Sequence, residues 1–541
     1  MDSLERFLMK FESIILILFL LVIGIIYSDA VRWGLPGTWN PDEIATYVYA
    51  DSSTADLELT NFTYPSLPRY IYRAIAQVMT MADRPRSDYL VAARLLSVLL
   101  AGLSCWLAYA ITYHVTQKRW AGILALLLTG SSSLLLTNAH FAHNDLFTVF
   151  FTGSVVFLSL RLLQSGRLTY AWMAFLFAGF AAASKYNGGI IVLIPVGVLA
   201  YLAITRPPHK WLSRLAWQIP LGAVLSMAAY TSGNHSVLTQ PAVYFEGLMP
   251  ALWRLANYGR TPDSTVGLFR QAQQLPGAFG APFSLLLLVS IILLIVFVVI
   301  EVRKKVNANS NSGVVILLAS LLLLWTPILS SYNVQPRYYL PMLPIAAAII
   351  STALALLAGT LSGRPKLGWA PAVFAVLVLM VVIYGSLCLV SANLLFNRDA
   401  RFQAGLFIDR IPDGVSLEYT LYSPNINYAE RFESVTFYEI RQAKYLNESS
   451  PQTSELVGEA GIEARQPDYF VTSSFATDRF KDAYTCQKHQ EECAFFTRLK
   501  AGETQYHLVA EFSYQLPRYL PQLSLTFVNP VIQIYERTPS Q

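Results

Sequence analysis

The chain has 541 residues, of which 54% are hydrophobic and only 13% are charged. Soluble globular proteins carry about 25% charged residues, so this composition excludes an ordinary soluble protein and indicates a polytopic membrane protein. The net charge of +5 mostly reflects membrane topology, and it does not indicate nucleic acid as a partner.

Apolar segments long enough to cross a bilayer recur through residues 1–395. The first follows a charged head, and no small-residue cleavage site of a signal peptide clearly follows it, so we predict a retained first helix. Because a spanning helix needs about 20 apolar residues, we predict about eleven spans. Their approximate bounds are Phe11–Ala30, Tyr89–Val115, Trp120–Leu136, Asp145–Leu163, Tyr170–Ser184, Gly188–Ile204, Leu212–Ser232, Phe283–Val302, Val314–Tyr332, Tyr339–Ala358 and Ala370–Leu395.

Short basic loops predict the orientation. With a cytoplasmic N-terminus and alternating spans, nearly every short basic loop falls on the cytoplasmic side, as the positive-inside rule requires. The loops 31–88 and 233–282 and the whole of 396–541 then lie outside a plasma or inner membrane. The cytoplasmic basic residues are Lys118, Arg119, Arg167, Arg206, Lys210, Arg214, Arg303, Lys304, Lys305, Arg364 and Lys366.

A change in composition after residue 395 predicts two domains. Residues 1–395 form a transmembrane module with the external loops 31–88 and 233–282. Residues 396–541 are polar and contain the strand-like segments Val415–Tyr419, Tyr469–Thr472 and Val531–Tyr535. Since one domain typically has 50–250 residues, we predict a small extracytoplasmic mixed α/β domain.

The four cysteines fall into two pairs of different character. Cys105 and Cys388 lie in apolar spans and are expected to be packing residues. Cys486 and Cys493 lie close together in a polar external segment, where an oxidising compartment favours a disulfide. A local pair of this kind can also remain reduced.

Five charged residues from distant parts of the chain fall on the same predicted membrane face. Asp42 and Glu43 follow the first span, Asp145 begins the fourth, Lys185 ends the fifth and Arg337 precedes the tenth. Charges at a bilayer edge usually face a cavity or one another. A carboxylate can take a proton from an acceptor, and Lys and Arg can hold a phosphate. The set predicts an enzyme with a lipid-linked phosphate donor.

Each of these residues also has a simpler interpretation. Asp42 and Asp145 can cap helices, the latter through its own side chain or that of Asn144. Lys185 and Arg337 can extend to lipid headgroups. Residues 233–282 can form a surface helix or a lid. His140 and His143 are weak metal candidates beside Asp145, but helical i,i+4 spacing is absent, so we predict no metal site and no required cofactor.

The same residues lie in motifs that resemble a known family. Five segments of this chain resemble five motifs of GT-C-type glycosyltransferases, in the same order. The motifs are an acidic pair in the first loop, an H-P-P-L segment, a second acidic motif, a K-Y/F-x-G segment and an R-Y-x-L-P motif. The resemblance is to the dolichyl-phosphate-mannose–protein mannosyltransferase and lipid A aminoarabinose transferase-like group. The segments are Asp42-Glu43, Tyr64-Pro65-Ser66-Leu67, His140–Asp145, Ser184–Gly188 and Gln335–Pro341.

The resemblance implies a GT-C-like fold and transfer of a sugar from a polyprenyl-phosphate donor, with inversion, to a protein, lipid or glycan. It implies Asp42 as base or acceptor-orienting carboxylate, with Glu43 and Asp145 beside it. Lys185 and Arg337 would bind the donor phosphate. We add Tyr64, Tyr186 and Tyr338 as candidate substrate contacts, and Tyr186 and Tyr338 can also be aromatic residues of the membrane interface.

Two departures from the family pattern matter. Tyr64 replaces the usual His and Ser66 replaces the second Pro, which argues against an ordinary protein O-mannosyltransferase. The competing class is a non-enzymatic scaffold or lipid transporter. A transporter typically has charges near mid-membrane and broken helices in paired halves, whereas the charges here lie at one edge, so the sequence favours the enzyme.

Overall fold

The computed structural model describes residues 2–43, 53–60, 62–205, 208–257, 260, 267–303, 308–332, 335–361, 369–438 and 458–538. These residues form two compact units. One unit comprises Met1–Val31 and Asp42–Leu389, and the other comprises Arg32–Pro41 and Val390–Gln541.

The described residues of the first unit form helices joined by turns and loops. Its 3₁₀ segments are Pro41–Glu43, which begins in the other unit, Tyr186–Val192 and Pro336–Met342. Its α-helices are Asp2–Ser28, Thr54–Leu59, Leu67–Met81, Arg86–Thr116, Arg119–Gly130, Ser133–Ala139, Asp145–Ser165, Leu168–Ser184, Leu193–Thr205, Pro208–Ser232, Ser236–Thr239, Pro241–Asn257, Leu268–Phe279, Ala281–Arg303, Ala308–Leu329, Leu343–Leu361 and Ala370–Asn397, which continues into the second unit.

Within the described part of the chain, eight helices are long and apolar enough to cross a membrane. A ninth span results if Arg119–Gly130 and Ser133–Ala139, which meet at a bend of 61°, count as one broken helix. Leu168–Ser184 is also apolar but shorter. The predicted helical membrane protein is therefore confirmed, while the number of eleven spans stays a prediction.

The most buried spans are those that begin with predicted site residues. Of the most apolar 18-residue stretch of the span Pro336–Thr360, 89% is buried. The corresponding share is 72% for Asp145–Ser165 and 11% for Lys10–Ser28. The first helix is therefore peripheral, whereas the helices behind Asp145 and Arg337 form the centre of the bundle. Central helices give a fixed frame for the side chains at their ends.

One glycine shows how closely the bundle packs beside the site. A Cβ atom on Gly188 would lie 2.8 Å from the carbonyl oxygen of Ala181 and 3.0 Å from Cγ2 of Thr148. The 3₁₀ turn after Lys185 therefore lies directly on backbone, which only a residue without a side chain allows. This contact explains the glycine in the segment Ser184–Gly188.

The second unit contains a five-stranded mixed sheet in the order β2-β1-β3-β5-β4. The strands are β1 (Ser416–Tyr419), β2 (Ser434–Phe437), β3 (Tyr469–Ser473), β4 (Tyr506–Phe512) and β5 (Ile532–Arg537). The α-helices Ala400–Ile408, Gly458–Arg465, Ser474–Thr477, Ala483–Lys488 and Gln490–Ala501 and the 3₁₀ turns Ala429–Arg431 and Asp478–Lys481 complete it. The predicted small α/β domain is thus confirmed, and the three predicted strands correspond to β1, β3 and β5.

Two apolar clusters stabilise this sheet. Ala404, Ile408, Leu417, Val471 and Ile534 belong to one cluster. The other contains Tyr438, Ile462, Phe470, Phe495, Phe496, Leu499 and Tyr506. Phe470 and Val471 are consecutive residues of β3 and contribute to different clusters, as the alternation of side chains across a strand requires. The Cys486 and Cys493 sulfurs are joined in a disulfide.

The segment Arg32–Pro41 packs within the second unit around a buried arginine. The guanidinium carbon of Arg401 lies 5.1 Å from the ring centroid of Trp33 and 4.2 Å from that of Trp39. Asp399 accepts hydrogen bonds from Nε and Nη2 of Arg401 at 2.9 and 2.7 Å and from Nε1 of Trp33 at 3.1 Å. Ten residues of the predicted loop 31–88 thus join the C-terminal unit.

We expect Arg401→Met to destabilise the second unit strongly. Removing one partner of a buried ion pair costs about 3–5 kcal/mol, because the other charge stays buried without compensation. Thermal unfolding of the full chain, followed by tryptophan fluorescence, measures the loss. The control is Lys481→Met, whose partner Asp478 forms a largely exposed pair worth about 0–1 kcal/mol. Equal shifts in the two variants would contradict a structural role for Arg401.

Candidate active site

The turn that carries the acidic pair is fixed by its second member. The Glu43 side chain is fully buried, and its carboxylate accepts hydrogen bonds from Nε and Nη2 of Arg94 at 3.0 and 2.8 Å. It also accepts one from the backbone N–H of Ala142 at 2.7 Å. Glu43 therefore ties the turn Pro41–Glu43 to the segment just before Asp145.

Asp42, the first member of the pair, remains accessible. Its side chain is 31% exposed, and Oδ2 accepts a hydrogen bond from Nη1 of Arg337 at 2.7 Å. The same oxygen lies 3.9 Å from Nε2 of His143. Two residues that are almost 300 positions apart in the sequence, Asp42 and Arg337, are thus brought into direct contact.

Asp145 is the buried counterpart of Asp42. Its side chain is 1% exposed and accepts hydrogen bonds from Nζ of Lys185 at 2.6 Å and from Nδ1 of His143 at 2.9 Å. Asn144 precedes it and makes no side-chain cap. Instead, Nδ2 of Asn144 donates to the carbonyl oxygen of Ser184 at 3.0 Å. This contact places the end of the helix Leu168–Ser184, and hence Lys185, beside the start of the preceding helix at Asp145.

Both cations are held by carboxylates rather than extended towards headgroups. The backbone of Lys185 is extended, because the helix Leu168–Ser184 ends just before it. Its side chain pairs with Asp145, and Nζ lies 4.8 Å from the ring centroid of Tyr338. The Arg337 side chain is 18% exposed and pairs with Asp42. The result is one cluster of two carboxylates and two cations, joined through His143, which we call the charged cluster: Asp42, His143, Asp145, Lys185 and Arg337.

Tyr64 adds a phenol to the charged cluster. Its ring lies edge-on to that of His143, with centroids 5.1 Å apart. Burial raises the pKa of Tyr64; Arg337 opposes the increase, and Asp145 and Asp42 add to it. Tyr64 therefore stays protonated at neutral pH and can donate a hydrogen bond to a substrate.

Tyr186, also predicted to contact substrate, has other neighbours than Tyr64 and Tyr338. Its hydroxyl donates to the carbonyl oxygen of Phe62 at 3.2 Å. Nearby in the chain, Phe62 packs on Tyr244, whose hydroxyl lies 2.7 Å from that of Tyr230. The described contacts of Tyr186 thus lead to this aromatic group and not to the charged cluster.

The two histidines considered as metal ligands have separate surroundings. Nδ1 of His140 hydrogen-bonds the carbonyl oxygen of Leu136 at 2.9 Å, and burial lowers the pKa of His140 to about 4. His143 is bonded to Asp145. Within the described residues, no group of three or more His, Cys, Asp or Glu side chains is placed to hold a metal ion. That the reaction needs no metal stays a prediction.

Two contributors were missed by sequence reasoning. Arg94 lies in the span Arg86–Thr116 and is fully buried. A charge within an apolar span is itself a signal that a buried partner exists. His143 was considered only as a metal ligand, whereas its position two residues before Asp145 places its ring between the two carboxylates.

A third buried carboxylate, that of Glu58, joins the two predicted external loops of this unit. Glu58 accepts hydrogen bonds from the hydroxyl of Tyr70 and from the backbone N–H groups of His235 and Ser236, the latter two at 2.8 and 2.6 Å. Burial raises the pKa of Glu58, but these hydrogen bonds outweigh it, so the pKa lies below its ordinary value.

We therefore expect the contact between these loops to weaken in acid. Because the folded pKa of Glu58 is below the unfolded one, its stabilisation is present above about pH 4.5, the ordinary value, and is lost as the pH falls through the folded pKa. Hydrogen exchange of the His235 and Ser236 amides, corrected for intrinsic rates, measures this. Glu58→Gln should show weak protection at neutral pH, and the exposed Glu246→Gln should behave as wild type. Protection independent of pH in the wild-type protein would contradict the assignment.

Comparison with known proteins agrees with this architecture. Residues 67–231 match the sequence profile of the family described as dolichyl-phosphate-mannose-protein mannosyltransferase. This segment contains Asp145 and Lys185 but not Asp42, Tyr64 or Arg337. No curated protein matches the chain.

Solved structures show the fold of the whole chain. ArnT from Cupriavidus metallidurans in the apo state matches with a TM-score of 0.53 at 13% identity, over 97% of this chain and 98% of that chain. The same protein bound to undecaprenyl phosphate matches with a TM-score of 0.51 at 14% identity, over 96% and 97%. The fold is therefore that of the GT-C-type membrane glycosyltransferases, which confirms the predicted fold class and the resemblance. With the family match, it supports a glycosyltransferase.

Proposed function

We propose that this protein transfers a sugar from a polyprenyl-phosphate donor to an acceptor at the extracytoplasmic membrane surface. The observation that carries the proposal is the charged cluster, in which two cations and two carboxylates from separate helices meet at the ends of their spans. The structure of ArnT with undecaprenyl phosphate supports a donor of the same chemical kind here.

Lys185 and Arg337 are the proposed ligands of the donor phosphate. Each is held by a carboxylate, at 2.6 and 2.7 Å, which fixes the position of both cations. A phosphate presents several oxygens and can accept from both cations, with Arg337 binding in a bidentate manner. The ring of Tyr338 beside Lys185 limits where the ammonium group can move. The lipid tail would lie between the helices.

Asp42 is the proposed base, because it is the accessible carboxylate of the charged cluster. Its side chain is 31% exposed, against 1% for Asp145. Asp42 takes the proton from the acceptor hydroxyl or amine. The acceptor atom then forms a bond to the anomeric carbon while the bond from that carbon to the phosphate oxygen breaks. The phosphate leaves with the electron pair, and this single in-line displacement inverts the anomeric centre.

The other two acidic residues have supporting roles in this scheme. Asp145 holds Lys185 and His143 in position. Glu43 is fully buried against Arg94 and bonded to the backbone of Ala142, so we assign to it the placement of Asp42 rather than a contact with substrate.

The proposed setting is a plasma or inner membrane with the N-terminus in the cytoplasm and residues 396–541 outside. The distribution of short basic loops supports this orientation. Membrane lipids surround the bundle, and the scheme requires neither a metal nor nucleic acid.

The direct test is sugar transfer by the purified protein, supplied with a panel of synthetic polyprenyl-phosphate sugars and candidate acceptors. We expect breakdown of at least one donor, release of polyprenyl phosphate and a product of inverted anomeric configuration. A scaffold or lipid transporter with the same fold would break down no donor, and that result would overturn the proposal.

A further inference from the structure

His143 lies between the two carboxylates of the charged cluster. Its Nδ1 is 2.9 Å from Oδ2 of Asp145, and its Nε2 is 3.9 Å from Oδ2 of Asp42. The side chain is only 6% exposed. An imidazole that joins the proposed base to a buried carboxylate has the arrangement of a proton carrier.

The second nitrogen of this imidazole, Nε2, is buried within the protein. Among the residues that the structure describes, Nε2 has no hydrogen-bond partner, since 3.9 Å exceeds hydrogen-bond distance. A buried polar atom without a partner is costly to the folded protein, and what distinguishes Nε2 of His143 is its position beside the proposed base Asp42. A carboxylate can only accept, so the hydrogen bond to Asp145 places a proton on Nδ1; when the ring is neutral, Nε2 is therefore its basic nitrogen, 3.9 Å from Asp42.

The groups that face the imidazole come from several elements. Tyr64 lies edge-on to the ring, and the hydroxyl of Tyr72 donates to the carbonyl oxygen of His143 at 3.1 Å. Lys185 and Arg337 act through the two carboxylates that they hold. The titratable and charged groups around His143 are therefore Asp42, Tyr64, Tyr72, Asp145, Lys185 and Arg337.

Arg337 and His143 compete for the same oxygen of Asp42. Oδ2 of Asp42 accepts a hydrogen bond from Nη1 of Arg337 at 2.7 Å. When Arg337 turns to the donor phosphate, its hydrogen bond to this oxygen is lost, and Nε2 of His143 remains on the side of the same oxygen. A small movement, or one water molecule, then closes the 3.9 Å gap to a distance at which a proton moves.

We propose that His143 is the proton relay of this site, which takes from Asp42 the proton that Asp42 removes from the acceptor. This inference rests on the proposed function. The acceptor proton passes to the Asp42 carboxylate as the new glycosidic bond forms and the bond to phosphate breaks. It then passes to Nε2, which gives an imidazolium balanced by Asp145, and leaves to water when the products depart. Asp42 is thereby restored as a carboxylate for the next turnover.

The experiment compares two substitutions of His143 that separate relay from packing. His143→Asn places an amide near Nδ1 and keeps the hydrogen bond to Asp145, but it offers no basic nitrogen towards Asp42. We expect kcat to fall by about 10²-fold, the lower range for loss of a proton-transfer group, with the donor KM unchanged. His143→Gln, which keeps a group near Nε2 but cannot take up the proton, should not restore the rate. His140→Asn is the matched control and should retain wild-type kcat, because its amide can still bond Leu136.

The pH profile gives the signature that a packing role would not produce. Because the relay must begin with a neutral imidazole, wild-type kcat should fall in acid, and this acid limb should be absent in His143→Asn. Near-normal kcat in His143→Asn, or an unchanged acid limb, would overturn the relay.

An NMR measurement without substrate separates this proposal from the proposed function. In protein labelled with ¹⁵N-histidine, the His143 signals are assigned by their loss in His143→Asn. Because Nε2 of His143 lies 3.9 Å from Oδ2 of Asp42, Asp42→Asn should change the ¹⁵N chemical shift of Nε2. An unchanged chemical shift overturns the relay whatever the transfer assay shows. If the wild-type protein breaks down no donor, the proposed function is overturned and the relay with it.

Discussion

Replacing Asp42 by Asn should lower kcat about 10³-fold, within the range expected for loss of a general base. The amide is nearly the same size as the carboxylate but cannot accept the acceptor proton. Because Asn no longer pairs with Arg337, that guanidinium becomes more available to phosphate, so donor affinity should stay equal or increase. Steady-state kinetics with a polyprenyl-phosphate sugar, together with donor binding by calorimetry, measure the two effects separately.

The control for this substitution is Asp83→Asn. Asp83 is exposed, lies in the same predicted external loop and has a positive φ of 51°, a conformation that Asn also tolerates. It should retain wild-type kcat. Near-normal turnover by Asp42→Asn, in protein with an unchanged unfolding temperature, would remove Asp42 from the role of base.

Replacing Lys185 or Arg337 by Met should weaken donor binding by roughly 10–150-fold each, since a hydrogen bond to a charged group is worth about 1.5–3 kcal/mol. The loss should appear for polyprenyl phosphate without a sugar as well as for the complete donor, because both cations are assigned to the phosphate. Arg337→Lys should recover part of the affinity, as it keeps the charge but loses the planar fork.

The matched control is Arg84→Met, which removes an exposed cation from the same predicted membrane face. It should leave the affinity for polyprenyl phosphate unchanged. Equal weakening by Arg84→Met would indicate general attraction of an anionic lipid rather than a defined phosphate site. Unchanged affinity in both Lys185→Met and Arg337→Met would contradict the assignment of the phosphate ligands.

Much of the architecture follows from local sequence patterns. Long apolar runs predict membrane helices because the bilayer core requires internally satisfied backbone over a fixed length. The strands β1, β3 and β5 were predicted, and they contain the buried residues Leu417, Phe470 and Ile534. The strands β2 and β4 lie at the two edges of the sheet. They were missed because their burial is partial and their apolar pattern is therefore weak.

The charged cluster was only partly predictable. Asp42, Asp145, Lys185 and Arg337 stand out in the sequence because charges at the edge of an apolar span are rare. Which charge pairs with which depends on how the helices pack, and no spacing along the chain gives that result. Glu43 illustrates the limit, since its sequence position beside Asp42 suggests a shared role, yet it faces the interior of the bundle.

The sequence by itself determined the helical membrane class, the polar C-terminal domain and four of the five members of the charged cluster. These follow from composition and from short-range patterns, which act through hydrophobic burial and backbone hydrogen bonding within one element. Only the tertiary structure decided that His143 joins the two carboxylates, that Arg94 neutralises Glu43 and that Arg32–Pro41 packs around Arg401. Each of these contacts depends on where a side chain points once packed elements are in place, because burial of a charge is stable only beside a partner that distant parts of the chain supply.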